Sequence, residues 1–457
     1  MSATAVTTEL SLRGEVIGPD DADYDEARKI WNGSVDKRPA LIARCRGVAD
    51  VLAALDYARD NDLLIAVRGG GHSIPGHSTC DGGIVIDLSQ MKGIRVDPSA
   101  RTVRAEAGVT WGEFDRETHA FGLATTGGQI TTTGIAGLTL GGGVGWLMRK
   151  HGLTCDNLLS VDVVTPDGRY VTASENENPE LFWGLRGGGG NFGIATSFEY
   201  RVHPLEQVLA GPLVHRLERA GKGLRFLRDF LDGAPDELTT FAVFATCPPH
   251  EPFPAHLHGQ PVFLIVPCWS GPQDEGERLL RPLREFGPPE ADLVGPLPYP
   301  IFQSMLDGTA PWGLRHYGKS DFLGELDDEA IDVLVDRAAG LPGPLSQVLI
   351  AQLGGAVARV SPDATAFGNR GAGFFYHSIV LWTDPEEDAD QIAWARSLWQ
   401  GMRPHSAGVY VNFLAEDEGR LDEVYGTRTF ERLTALKEEF DPTNALRLNH
   451  NIAPGRS

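Results

Sequence analysis

A histidine set behind three glycines is the first place where this chain could do chemistry. In Arg68-Gly69-Gly70-Gly71-His72-Ser73 the missing side chains let backbone approach a ligand closely, and an imidazole stands beside the gap. Two further glycine clusters follow, at residues 134–145 and 187–193. Read with the elements around them, all three fall at or near strand ends. Together they suggest one large, extended ligand lying against main chain, and a pyrophosphate cradled by N–H groups would fit. A set of tight turns is the plainer alternative. His77 and Cys80 lie close to His72, but the group lacks carboxylates at useful spacing, so no metal site is expected.

Two other glycine motifs fail on context. Residues 313–320 (GLRHYGKS) satisfy the Walker A pattern. Their interior is Leu, Arg, His and Tyr, and no buried strand precedes them, so a strand carrying Tyr317 and Lys319 is the better reading. Residues 188–193 (GGGNFG) satisfy G-x-G-x-x-G, but helix-like residues precede them and strand-like residues follow. A nicotinamide fold needs the opposite order.

The elements that must position His72 belong to a chain of 457 residues, long enough for two domains. Formal net charge is −22, and 55 glycines and 30 prolines are present. Such acidity argues against nucleic acid and against an anionic membrane surface. No apolar stretch is long enough to span a bilayer, and no signal peptide is evident. The five cysteines lack a C-x-x-C pair and are expected to be free in a cytoplasmic protein.

Periodicity predicts helices over 21–32, 48–61, 111–120 and 179–184. It predicts strands over 63–68, 83–88 and 193–204, and hairpins over 94–108 and 160–174. Beyond residue 205 the texture changes. Helices over 221–231 and 328–339 alternate with strands over 262–269, 346–360 and 374–382, giving a mainly antiparallel α+β lobe. A last helix over 428–440 stops at Asp441-Pro442. The expected division is 1–205, 206–413 and 414–457, the last segment returning to the first lobe.

These residues resemble a known family. The loop 68–73, followed by Asp81-Gly82-Gly83-Ile84-Val85-Ile86-Asp87-Leu88, is similar to the flavin loop of the berberine-bridge-enzyme-like oxidases, in the vanillyl-alcohol-oxidase (PCMH-type) fold group. Residues 137–147 (GLTLGGGVGWL) resemble the family's second flavin loop and residues 170–193 its third. The ending matches too: Tyr410-Val411-Asn412-Phe413, Tyr425-Gly426, Asp441-Pro442-Thr443-Asn444 and Asn449-His450-Asn451-Ile452.

The resemblance implies an α+β architecture, with FAD between two subdomains and a substrate domain built on an antiparallel sheet. It implies that His72 bonds to the flavin 8α-methyl carbon. Many members add a cysteinyl bond at the position held here by Ile130, so a single bond through His72 is expected, as in bacterial single-histidyl members. The cofactor contacts implied are Arg68, Gly69, Gly70, Gly71, His72, Ser73, Gly76, His77, Gly128, Thr133, Gly134, Gly137, Leu138, Gly141, Gly142, Gly143, Gly145, Gly193, Ile194, Tyr410, Asn412 and Asn449. Thr133 stands where the family admits oxygen. Tyr410 and Asn412 are the catalytic candidates beside the ring. Strand alternation over 374–382 adds either Tyr376 or His377, with the register open. Tyr317 and Lys319 are placed at the pocket entrance.

The reaction implied is oxidation of an alcohol or amine C–H by hydride transfer to flavin N5, with oxygen as acceptor, in a bacterial secondary or catabolic pathway. The partners are a small molecule and oxygen, the protein being a monomer or homodimer. An oxidative cyclisation or monooxygenase-like enzyme and a non-catalytic flavin-binding protein are the alternatives.

Overall fold

The computed structural model describes residues 10–415 and 419–455. The first 205 residues build two larger sheets and a two-stranded pair, Leu123–Ala124 with His203–Pro204. One has four strands in the order Glu15–Ile17, Leu41–Arg44, Ile84–Asp87, Ile65–Arg68, its last three parallel. The other is antiparallel, in the order Ile94–Asp97, Thr102–Glu106, Ile194–Arg201, Leu158–Val164, Tyr170–Ser174. Helix Val48–Asp60 buries Val51, Ala54, Leu55 and Ala58, the apolar stripe that its sequence spacing predicts. Helix Trp111–His119 starts where the Glu113 carboxylate takes the Thr110 N–H at 2.8 Å.

Residues 207–408 supply a ten-stranded sheet, antiparallel throughout. Its centre runs Pro261–Trp269, Leu238–Thr246, Gln347–Gln352, Phe374–Trp382, Arg315–Leu323. Helices Ala220–Leu231, Asp328–Ala338 and Asp388–Met402 cover one face. The other face turns towards the first lobe through Phe241, Phe322, Phe375 and Tyr410. Helix Leu421–Phe440 then packs Leu436 against Gly184, within the N-terminal part of the fold.

Three elements depart from the periodic reading. The helix expected over 21–32 is one turn, Tyr24–Ala27. The chain leaves it so that the Trp31 N–H can donate to the Gly71 carbonyl at 3.1 Å. The strand expected over 346–360 ends at Gln352, because Gly354 and Gly355 take φ of 80° and 55°, outside the strand region. The C-terminal helix begins at Leu421, earlier than expected, and is broken at Gly426 (φ 68°). Residues 313–320 run into strand Arg315–Leu323, as the rejection of a phosphate loop requires. Among the described residues no helix is long and apolar enough to cross a membrane, and no cluster of metal-ligating side chains is present.

Candidate active site

The three glycine clusters converge on one cavity between the lobes, lined by Gly69–Gly71, by Gly134 and Gly137, and by Gly188–Gly190 with Gly193. The first loop leaves the end of strand Ile65–Arg68. The second surrounds the short helix Ile135–Leu140 rather than ending a strand. The third precedes Ile194–Arg201.

Glycine does two different jobs here. A Cβ on Gly70 would stand 2.3 Å from the Gly134 nitrogen, and one on Gly134 would stand 2.4 Å from the Gly70 nitrogen. The two loops touch backbone to backbone. By contrast, Cβ atoms on Gly137 and Gly190 would meet nothing within 4 Å, although both residues line the cavity. This yields a paired prediction. Gly134→Ala will block docking of the loops and destabilise the protein by more than about 2 kcal/mol, since backbone cannot yield as a side chain can. Gly137→Ala will fold with thermal stability equal to or above the parent, yet bind less flavin, because its methyl enters the cradle. Melting curves and flavin-to-protein absorbance ratios read both.

His72 lies on the wall between Thr132, whose Oγ1 is 2.9 Å from Nε2, and Thr133, whose Oγ1 is 3.4 Å from Nδ1. Its ring stacks on Trp31, with centroids 5.1 Å apart and planes at 14°. Burial pushes its pKa down to about 3, so the ring is neutral and keeps a lone pair at physiological pH. Trp31 also meets His316, 4.8 Å away. The Asn32 side chain grips the His316 backbone in both directions, taking its N–H at 3.1 Å and donating to its carbonyl at 3.2 Å.

Tyr410 and Asn412 also line the cavity, but at the start of a 3₁₀ turn rather than on a strand. The Tyr410 oxygen accepts N–H bonds from Gly143 (2.9 Å), Val144 (3.3 Å) and Asn412 Nδ2 (2.8 Å). Asn412 Nδ2 also donates to the Leu138 carbonyl at 3.0 Å, fixing the amide's orientation. With its lone pairs engaged, the phenol has only its proton left to offer. Burial, opposed by those donors, raises its pKa to about 12.

The register on Phe374–Trp382 places His377 and Ile379 on the cavity and Tyr376 on the opposite face, fully buried with Leu398 and Met402 among the covering helices. Tyr376 is therefore no active-site residue by position: alternation sends neighbouring side chains to opposite faces. Tyr317 and Lys319 fall on that same far face, Lys319 over the Trp399 ring, and not at the entrance. His377 stacks on Phe413 with centroids 4.0 Å apart.

Of the other expected cofactor contacts, Ser73, His77, Gly128, Thr133, Leu138, Ile194 and Asn449 line the cavity. Arg68 does not. Its guanidinium turns away to the Ala27 and Ser78 carbonyls and lies 3.7 Å from Asp87. Gly76, Gly141, Gly142, Gly143 and Gly145 also sit behind the wall. They make room for Val35, Asn412, Phe367, Thr154 and the Gly127 carbonyl respectively. Ile130 lines the cavity and no cysteine does among the described residues; Cys155 is buried elsewhere. Periodicity missed Trp31, His316, Gln347, Leu349 and Phe413, all on the wall. The alternation of strand Arg315–Leu323 was the signal available for His316.

The cavity fits FAD. Three glycine loops line the cavity, with open space at Gly137 and Gly190, a neutral histidine shares the lining, and buried polar atoms without protein partners, Ser78 Oγ and Asn449 Oδ1, belong to residues on the same wall.

Comparison with known proteins agrees. The FAD binding domain family profile matches residues 39–174, and the berberine and berberine-like profile matches residues 409–453. An FAD-linked oxidoreductase of Dictyostelium discoideum is 30% identical, with 99% of this chain and 98% of that protein aligned. (R)-6-hydroxynicotine oxidase of Paenarthrobacter nicotinovorans is 31% identical over 99% of both chains. The crystal structure of 6-hydroxy-D-nicotine oxidase from Arthrobacter nicotinovorans superposes with a TM-score of 0.86 at 29% identity, covering 98% of this chain and 99% of that one. A xylooligosaccharide oxidase from Myceliophthora thermophila, at 22% identity and a TM-score of 0.85, shares the fold. Cradle, histidine and relatives together place this chain in the berberine-bridge-enzyme-like family of FAD-linked oxidases.

Proposed function

We propose that the protein is an oxidase that holds FAD through one covalent bond, at His72, and oxidises a small-molecule alcohol or amine with oxygen as the terminal acceptor. The observation that carries this reading is the neutral His72 imidazole, set between two threonines at the inner end of the glycine cradle. Joining a ring nitrogen to the flavin 8α-methyl carbon removes one hydrogen from each, a two-electron oxidation for which oxygen serves. Ile130 on the wall, and no cysteine there among the described residues, support a single tether. Bound FAD supplies the two-electron acceptor for a substrate C–H.

The chain's own residues then orient the substrate. Tyr410, held by three N–H donors, presents its hydroxyl proton to the cavity as a hydrogen-bond donor. The His377 imidazole, kept neutral by burial and by the neighbouring His316, offers its Nε2, which has no protein partner, as a hydrogen-bonding group to the substrate O–H or N–H. Phe413 fixes the plane of the His377 ring.

His72→Ala will abolish the covalent link. Acid precipitation will carry flavin down with the parent protein and leave it in the supernatant of the variant. Yellow pellets from the variant would refute the His72 tether. Oxygen uptake during a screen of alcohols and amines tests turnover. The non-catalytic alternative predicts no uptake with any of them.

A further inference from the structure

Charged residues make up 22% of the chain, yet none of the described residues lining the cavity is Asp, Glu, Lys or Arg. Two charges adjacent in sequence to the lining are committed elsewhere. Asp307, beside Leu306 on the rim, accepts the Thr131 N–H at 2.8 Å and its hydroxyl at 2.6 Å. Arg68 faces away into the N-terminal sheet. The wall built by the large sheet consists of His316, Gln347, Leu349, His377 and Ile379, closed by Phe413 and by the rim residues Leu306, Thr309 and Ala310.

Its titratable groups do not supply charge either. Burial holds His72 and His316 down to about 3 and His377 well below its ordinary value. Two ring pairs, Trp31 with His72 and Phe413 with His377, are among the lining. Gln347 is the wall's amide, and its Nε2 donates to Thr309 Oγ1 at 3.1 Å.

We infer that the large-sheet wall of this cavity selects an uncharged substrate and rejects the same skeleton when it carries a carboxylate or an ammonium group. The physical reason is desolvation. A charged group against the large-sheet wall loses water and gains no counter-charge and no run of backbone N–H groups, whereas a hydroxyl finds imidazole and amide partners. An amine would enter as its free base. This inference rests on the oxidase reading above and narrows its substrate class.

The test uses the flavin-loaded protein under argon and three matched probes: 2-naphthalenemethanol, 2-naphthoate and 2-naphthylmethylammonium. Binding is read by equilibrium dialysis and by the shift of the flavin spectrum at neutral pH. The alcohol is expected to bind at least about tenfold more tightly than either ion. Equal or tighter binding of an ion, or binding of none of the three, would overturn the inference.

Gln347→Glu adds one carboxylate to the wall with little change of shape. In that variant the ammonium probe is expected to gain at least about tenfold, and an unchanged order would show that this wall does not select the ligand. A protein that purifies without flavin would defeat the oxidase reading itself. An ion-preferring protein that retains its flavin would defeat only the charge selection.

Discussion

Lys437→Met will destabilise the protein by about 3–5 kcal/mol and will loosen its flavin, although the residue never reaches the cavity. Lys437 and Asp441 are both fully buried on helix Leu421–Phe440 and its exit. The ammonium donates to Asp441 Oδ2 at 2.6 Å, to the Asn191 carbonyl at 2.8 Å and to the Leu446 carbonyl at 3.2 Å. Methionine fills the same volume but leaves a carboxylate in the core facing only the Ala445 and Leu446 N–H groups and a distant Thr443 hydroxyl, with no cation. The Asn191 carbonyl loses its donor as well, while the Leu446 carbonyl keeps the Asn449 amide at 2.9 Å. The effect reaches the cofactor through Asn191. Its side chain ties the third glycine loop at Gly188 to the C-terminal segment at His450 and Ile452. Asn449, on that segment, lines the cavity. Urea denaturation and flavin retention after gel filtration should fall together. Adding Asp441→Asn removes the stranded charge, so the double variant should recover most of the stability, a non-additivity that a simple packing defect would not give.

What the sequence made legible follows from how local each signal was. Helix Val48–Asp60 and strand Phe374–Trp382 declare themselves by spacing, and the structure reproduces them closely. His72 stood out because its loop is continuous in sequence. A glycine, however, reports only that a side chain is missing, not what occupies the space. Gly137 leaves room for a ligand, whereas Gly141 leaves room for Asn412, distant in sequence, and composition cannot separate them. The choice between Tyr376 and His377 was open for a related reason. Alternation fixes that they face apart, while which one meets the cavity depends on pairing. Leu349 lies opposite His377 on the adjacent strand, and both share the cavity face. His316 was hidden by a chance phosphate-loop pattern. Arg68 looked like a cofactor contact because it borders the loop, but its carbonyl partners lie on other segments.

Asp115→Asn will raise stability in mildly alkaline solution and flatten its dependence on pH. Asp115 sits on helix Trp111–His119 with both carboxylate oxygens buried and without a geometric partner, beside Gln303 and near Tyr299. Burial pushes its pKa up to about 8. The Gln303 amide already donates to the Gly128 carbonyl at 2.7 Å, leaving Oε1 as an unpaired acceptor, which suits a protonated carboxyl. In the unfolded chain the same group titrates near its ordinary value of about 3.9. Below that pH both states hold the proton and the folded state is not penalised. Between about pH 4 and about pH 8 the unfolded chain releases it while the folded protein keeps it. Stability from this group therefore falls with rising pH by up to about 1.4 kcal/mol per unit. Above the folded value both states are ionised and the loss is complete. Asparagine carries no proton to release, so the variant should match the parent only below about pH 4 and exceed it by a margin that widens up to about pH 8, by as much as about 1.4 kcal/mol per unit. Melting temperatures across that range give the comparison. Parallel curves for parent and variant would mean that Asp115 is ionised in the folded protein.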